Sequence, residues 1–322
     1  MYPTNETIGG LTAQRAEALL ESDLRQWPTA ARNYGALRDV QTRTVRFGGC
    51  TIQVQFNPAR LVSTGARTDA ASISRRPCFL CTANRPAEQG QLPFLADYQL
   101  LVNPYPIFRH HYTIVERSHT PQRIGGRIGD FIELTRQLSG LTTLYNGPRC
   151  GASAPDHLHF QAVTQGQMPL DMEVTDTPAP DSPCVQTLLR SPEATLQRLS
   201  GCLRPLFVIR ATTATTATAY FDRLYRALPL TPEDAGEPMI NLIARYTEGR
   251  GWTVIVIPRR CHRPWEPGEG ILTAPGAADM GGLFVSVRPE DFAVTDEDTL
   301  RTVYRAVCPT DEEMAGLTLE PA

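Results

Sequence analysis

Residues 157–163 read His-Leu-His-Phe-Gln-Ala-Val, and this alternation constrains the fold more than any other stretch of the chain. On a β-strand successive side chains point to opposite faces, so Leu158, Phe160 and Ala162 enter a core while His157, His159 and Gln161 share the other face. The segment therefore asks for a sheet with one apolar side and one side that opens on a site. Two imidazoles and an amide in a row suit attack on phosphorus. A neutral imidazole is nucleophilic near neutral pH, and an amide can hold a phosphoryl oxygen. The competing reading is the polar face of an exposed strand.

The pair Cys78-Phe-Leu-Cys81 is the second constraint. A redox dithiol wants a strand before it and a helix after it. Here a polar stretch precedes the pair and an Asn84-Arg85-Pro86 turn follows, which suits a metal knuckle better. Two further ligands are needed, and the chain has six histidines. His119 follows an apolar run and His157 begins the His-Leu-His segment, so Cys78, Cys81, His119 and His157 can close a tetrahedral structural site. His110 and His111 are the alternatives, read as surface or substrate-facing residues. Two thiolates with two imidazoles favour Zn2+.

Around these motifs the pattern alternates helices and strands. Helical spacing is expected at residues 12–27, 128–141, 192–203 and through Phe221, Leu224, Tyr225 and Leu228. A terminal helix capped at Thr295 follows. Strands are expected at residues 44–47 and 51–56 as a hairpin about Gly48-Gly49, and at 100–103, 112–115, 141–145, 158–163 and 206–209. Others are expected at 239–246 and 252–257, paired as a second hairpin, and at 283–287. Residues 63–76 read as a loop. The Pro- and Asp-rich residues 165–182 mark a boundary between two halves, 1–165 and 166–322. A short echo supports duplication. The strand running into Arg117-Ser118-His119 resembles the one running into Arg260-Cys261-His262, and residues 157–163 stand opposite 281–287. On this reading His262 and Arg263 either face the site across the two halves or cap a strand.

Composition narrows the function. A net charge of −3 offers no basic field for nucleic acid, so phosphate recognition must be local. The longest strongly apolar runs are strand-length, too short to span a bilayer. The first residues lack a basic and apolar leader pattern, and the eight cysteines sit in a long chain. We therefore expect a cytoplasmic protein with thiols rather than disulfides.

The order of Cys78-x-x-Cys81, a post-strand His119, Asn146-Gly147 and His157-x-His159-x-Gln161 resembles the galactose-1-phosphate uridylyltransferase branch of the histidine-triad superfamily. Within that branch the chain resembles GDP-hexose phosphorylases of the GDP-L-galactose type, through residues 55–66, 76–81, 103–108, 157–163 and 272–292. The resemblance implies an α/β (α+β) fold of two histidine-triad-like halves, whose antiparallel sheets form one pseudo-dimeric unit. The first half would carry catalysis and zinc, the second would be degenerate. It implies His159 as nucleophile on the α-phosphorus of a nucleoside diphosphate sugar, His157 as zinc ligand, and Gln161 and Asn146 at the phosphate. Ser153 would bond the β-phosphate and Asn103 would line the nucleotide pocket. The chain departs from the pattern by one extra residue between Ser153 and His157, and by Asp156 where an asparagine is common. Arg149, between Asn146 and Ser153, is a further phosphate-binding candidate, better placed than the loop cations Arg60, Arg75 and Arg76.

The implied enzyme is a phosphorylase-type nucleotidyltransferase giving GDP and hexose 1-phosphate. Alternatives are a dinucleoside polyphosphate phosphorylase, a sugar-1-phosphate nucleotidyl exchanger, and a nucleotide-sugar sensor without turnover. The expected partners are a nucleoside diphosphate sugar and inorganic phosphate, with neither nucleic acid nor membrane, on a monomer or homodimer.

Overall fold

The computed structural model describes residues 10–319 apart from 48–49, 66–67, 175–183, 202, 231–235 and 267. The expected Gly48-Gly49 turn and residues 175–182 of the Pro-rich boundary lie outside the described residues. Helices α1 (Ala13–Gln26) and α2 (Pro28–Gly35) lead into strands β1 (Gln41–Phe47) and β2 (Cys50–Phe56). Two short helices, α3 (Leu61–Thr64) and α4 (Ala70–Arg75), occupy the stretch expected as loop. Then come β3 (Gln91–Phe94), β4 (Tyr98–Val102), β5 (His111–Glu116), α5 (Ile128–Gln137), β6 (Leu141–Asn146) and β7 (His159–Thr164). The second half runs α6 (Pro169–Glu173), β8 (Val185–Arg190), β9 (Ala194–Leu199), β10 (Leu206–Ala211), α7 (Ala214–Ala227), β11 (Ile240–Thr247) and β12 (Gly251–Pro258). It closes with α8 (Ala277–Met280), β13 (Leu283–Ser286), α9 (Pro289–Val294), α10 (Glu297–Val307) and α11 (Asp311–Ala315).

Ten strands form one sheet in the order β3-β4-β5-β7-β6-β11-β12-β10-β9-β8, and every pairing in it is antiparallel. The halves join where β6 pairs with β11, Leu144 opposite Ile243. Outward from that junction the order is β6-β7-β5-β4-β3 on one side and β11-β12-β10-β9-β8 on the other. Helix α5 follows β5 as α7 follows β10, and the two helices pack together across the junction. The α/β fold is thus two like-ordered antiparallel half-sheets in one pseudo-dimeric unit. The order corrects the sequence echo. It makes β12 the counterpart of β7 and β10 that of β5, while β13 belongs to a separate sheet. It also corrects residues 192–203, where β9 replaces the expected helix. Strand β9 pairs along its whole length with β10, and that pairing outweighs local helical spacing.

Both faces of the ten-stranded sheet are covered, which is why β11 and β12 read as continuous apolar runs. Phe160, Ala162, Leu242, Val254 and Phe207 pack with α5 and α7 in one core. The alternate residues Val163, Ile243, Ile255 and Val208 pack in a second core with β2, β13 and α10. In this second layer β13 runs parallel to β2, Leu283 opposite Gln53, so a hairpin of the first half is completed by the last strand of the second. His159 and Gln161 alternate with Phe160 and Ala162 and therefore face this layer. No helix among the described residues is long and apolar enough to cross a membrane.

Candidate active site and metal centre

The ligand atoms of Cys78, Cys81, His119 and His157 all lie within 4.8 Å of one another. Cys78 Sγ is 3.3 Å from His157 Nδ1, Cys81 Sγ 3.3 Å from His119 Nδ1 and 3.6 Å from His157 Nδ1. A tetrahedron with zinc-like bond lengths has sulfur–nitrogen edges of about 3.5 Å, so the four donors fit such an ion. Hydrogen bonds shape the knuckle. Cys81 N donates to Cys78 O, and Asn84 Nδ2 donates to the same carbonyl at 2.9 Å. His157 donates from Nε2 to Glu116 O at 2.7 Å, which leaves Nδ1 as the ligand atom. His119 Nε2 lies 3.7 Å from Asp156 Oδ2, again with Nδ1 toward the cluster. His110 and His111 are not part of it. His157 precedes β7 rather than sharing its face, so the three-residue row expected from alternation reduces to His159 and Gln161.

The ladder between β6 and β7 ends at Leu144 opposite Gln161. Beyond it the strands part, and the buried side chain of Gln122 fills the gap. Its Oε1 accepts from His159 N at 2.7 Å, while its Nε2 donates to His159 O at 3.0 Å and Asn146 O at 2.9 Å. Beside this bridge lies a cavity of about 580 Å³ whose walls include His159, Gln161, Asn146, Asn103 and Ser153. His159 Nδ1 donates to the carbonyl of His157 at 2.8 Å. A carbonyl only accepts, so Nδ1 carries the proton and Nε2 presents a lone pair. Burial pushes the His159 imidazole down to about 4, so it is neutral at pH 7.

Two amides beside it are oriented by their neighbours. Ile107 N donates to His111 Nδ1 at 3.1 Å, so His111 Nε2 is its protonated nitrogen and donates to Gln161 Oε1 at 2.8 Å. With that oxygen engaged, the Gln161 amide NH2 is left to donate. Burial holds His111 neutral, down at about 3. Asn146 Oδ1 accepts from Asn241 Nδ2 at 2.9 Å and Ala277 N at 2.7 Å, which frees its NH2 likewise. Asn241 is itself fixed by Arg259 Nη1 at 2.7 Å and by Cys150 O at 2.7 Å. The second half therefore sets the amide of the first.

Asn103 is on the wall, but its Oδ1 accepts from Tyr105 N and its Nδ2 donates to Thr113 Oγ1, so it also shapes its own turn. Ser153 is on the wall, with its carbonyl held by Arg76 Nη2 at 3.1 Å. Arg149 is not a wall residue; its charge acts on His262. Gly151 has φ of 90°, and a Cβ there would stand 2.6 Å from Gly276 Cα, so the close contact of these two loops requires glycine. Arg60 and Asp279 line the cavity as well, one from each half. Burial pushes Arg60 down to about 10 and raises Asp279, whose carboxylate accepts from Gly276 N and Val285 N.

The sequence matches a family profile described as a domain of unknown function, DUF4922, over residues 19–164. No curated protein matches the chain. Among solved structures the chain resembles the yeast Ap4A phosphorylase Apa2, at 16% identity and a TM-score of 0.57 over 87% of this chain and 96% of that one. The complex of Apa2 with AMP gives a TM-score of 0.55 at 16% identity, covering 88% of this chain and 94% of that one. The complex with Ap4A gives 0.58 at 16% identity, covering 89% and 95%. The fold of this chain is therefore similar, across nearly the whole of both proteins, to that of the yeast Ap4A phosphorylase Apa2.

Proposed function

We propose that this protein is a nucleotidyltransferase of the phosphorylase type that works through a nucleotidyl-histidine on His159. The observation that carries the reading is the His159 tautomer. Nδ1–H is spent on the His157 carbonyl, so an unprotonated Nε2 belongs to a residue on the wall of a substrate-sized cavity. Nε2 attacks the α-phosphorus of a nucleotide substrate and displaces the remainder as a phosphate ester. The freed NH2 groups of Gln161 and Asn146 donate to the phosphoryl oxygens as charge gathers on them. An oxygen of inorganic phosphate then attacks the same phosphorus, the phosphorus–nitrogen bond breaks, and a nucleoside diphosphate leaves.

Zn2+ bound by Cys78, Cys81, His119 and His157 would act structurally. By fixing the His157 ring it would also fix the carbonyl that sets the His159 tautomer. Residues 1–165 form the catalytic half on this reading, and residues 166–322 a degenerate half that has kept the amide-orienting Asn241. Asn103, Ser153 and Arg149 belong to the substrate side of the proposal.

The substrate favoured by the sequence resemblance is a GDP-hexose, giving GDP and hexose 1-phosphate. The fold likeness to Apa2, solved with AMP and with Ap4A, favours a second reading in which a dinucleoside polyphosphate is the substrate. Incubation of the protein with each substrate, with and without inorganic phosphate, tests both. Phosphate-dependent release of GDP, or of ADP from diadenosine tetraphosphate, identifies the reaction. Absence of nucleoside diphosphate from either substrate overturns the proposal.

A further inference from the structure

We infer that His262 and Arg263 form the anion subsite that holds the departing phosphate and then the attacking one, an inference that rests on the phosphorylase reading above. Both residues follow β12 in the second half and line the same cavity as His159. Both ring nitrogens of His262 are buried without a hydrogen-bond partner among the described residues. The ring faces the Arg149 backbone without closing a hydrogen bond to it. A buried donor left this way is costly, and a ligand oxygen would relieve it.

The charges acting on that ring are those of Arg263, Arg259 and Arg149. In a chain of net charge −3 this is a local positive field on one wall of the cavity. Arg259 is committed to Asn241, Pro275, Val307 and Cys261, so it supplies field rather than contact. Arg263 is tethered by Nη1 to Thr273 O at 3.0 Å, and both residues line the cavity. His262 and Arg263 also line a second, open cleft with Trp265 and Glu266, so the subsite has a route to solvent.

The chemistry places both phosphates in one spot. Attack by His159 Nε2 breaks the α-phosphorus–oxygen bond on the far side of phosphorus, and the electron pair leaves with that oxygen. In the return step an oxygen of inorganic phosphate approaches from that same side. The phosphorus–nitrogen bond breaks, and its electron pair returns to Nε2. One set of donors on the cavity wall therefore serves both steps, and His262 and Arg263 are donors on that wall.

Titration of the full chain with inorganic phosphate, followed by calorimetry, tests the subsite. Wild type and His159→Ala should bind alike. His262→Ala and Arg263→Gln should each bind about 10-fold or more weakly, the loss expected for one hydrogen bond to a charged group. Thermal melting reports whether each variant folds, and Arg263→Gln decides alone if His262→Ala does not. Unchanged phosphate affinity in the folded variants, or no phosphate binding by wild type, overturns the inference. On nucleotidylated protein the same variants should lose discharge by phosphate while keeping discharge by water. A wild-type chain that binds phosphate through these residues yet never becomes nucleotidylated would refute the catalytic reading and leave the subsite standing.

Discussion

Glu237 offers a test of how the second half supports the strand end that carries His159. Its carboxylate accepts from the Tyr145 hydroxyl and from the backbone N–H groups of Ile124 and Gly125, so it anchors the loop that carries Gln122. It is 1% exposed, and burial pushes it up to about 7 from an ordinary 4.5. The folded chain thus keeps a proton that the unfolded chain gives up above 4.5. Stability is fully present below 4.5 and falls as pH rises through 7. At about 1.4 kcal/mol per pH unit the loss accumulates to about 3 kcal/mol. With an unfolding entropy of about 2.1 cal/mol/K per residue over 322 residues, that corresponds to about 4 °C in Tm. Glu237→Gln keeps an acceptor and removes the titration. Its Tm relative to wild type, measured by scanning calorimetry at matched ionic strength, should rise by about 4 °C between pH 4.5 and pH 8. A Tm difference that stays flat across this range, or that moves the other way, would mean that Glu237 does not hold a proton in the folded chain.

Three further outcomes follow from the site. Replacing Cys81 with serine removes one of four clustered donors, so zinc that co-purifies with wild type should be lost, with a lower Tm; metal analysis checks this. His111→Phe frees the Gln161 amide to turn, so kcat should fall about 100-fold with KM little changed; steady-state kinetics showing the reverse would contradict the assigned orientation. Gln122→Leu strands His159 N and the carbonyls of His159 and Asn146. It should cost about 2–4 kcal/mol in denaturant unfolding, and a loss under 1 kcal/mol would mean that the strands do not depend on this side chain.

What the sequence disclosed and what it concealed divide along physical lines. The alternation at residues 157–163 and the Cys78-x-x-Cys81 spacing are local signals, and they point to the residues now found at the cavity and the cluster. The four donors could be named because few histidines were available. Orientation was not legible. His110 and His111 are adjacent and differ only in which face they take, and the buried one sets Gln161. Gln122 lies in a loop with no motif, and only the parting of β6 from β7 gives it a task. Asn241 did leave a trace, a lone amide in the apolar run Met239-Ile240-Asn241-Leu242-Ile243. A polar group buried in such a run requires partners, and these turned out to be Asn146 and Arg259. The echo misled because apolar strands followed by Arg-x-His are short patterns. Strand order, fixed by long-range pairing, decides which strands are counterparts.

The proposed mechanism stands on covalent nucleotidylation of His159 Nε2. The most direct measurement is intact-protein mass after incubation with GDP-hexose or diadenosine tetraphosphate without phosphate, quenched under mildly alkaline conditions that spare a phosphoramidate. A nucleoside-monophosphate adduct should form, be absent from His159→Ala and be discharged by inorganic phosphate. An adduct that persists in His159→Ala, or none with either substrate despite measurable binding, would contradict the mechanism.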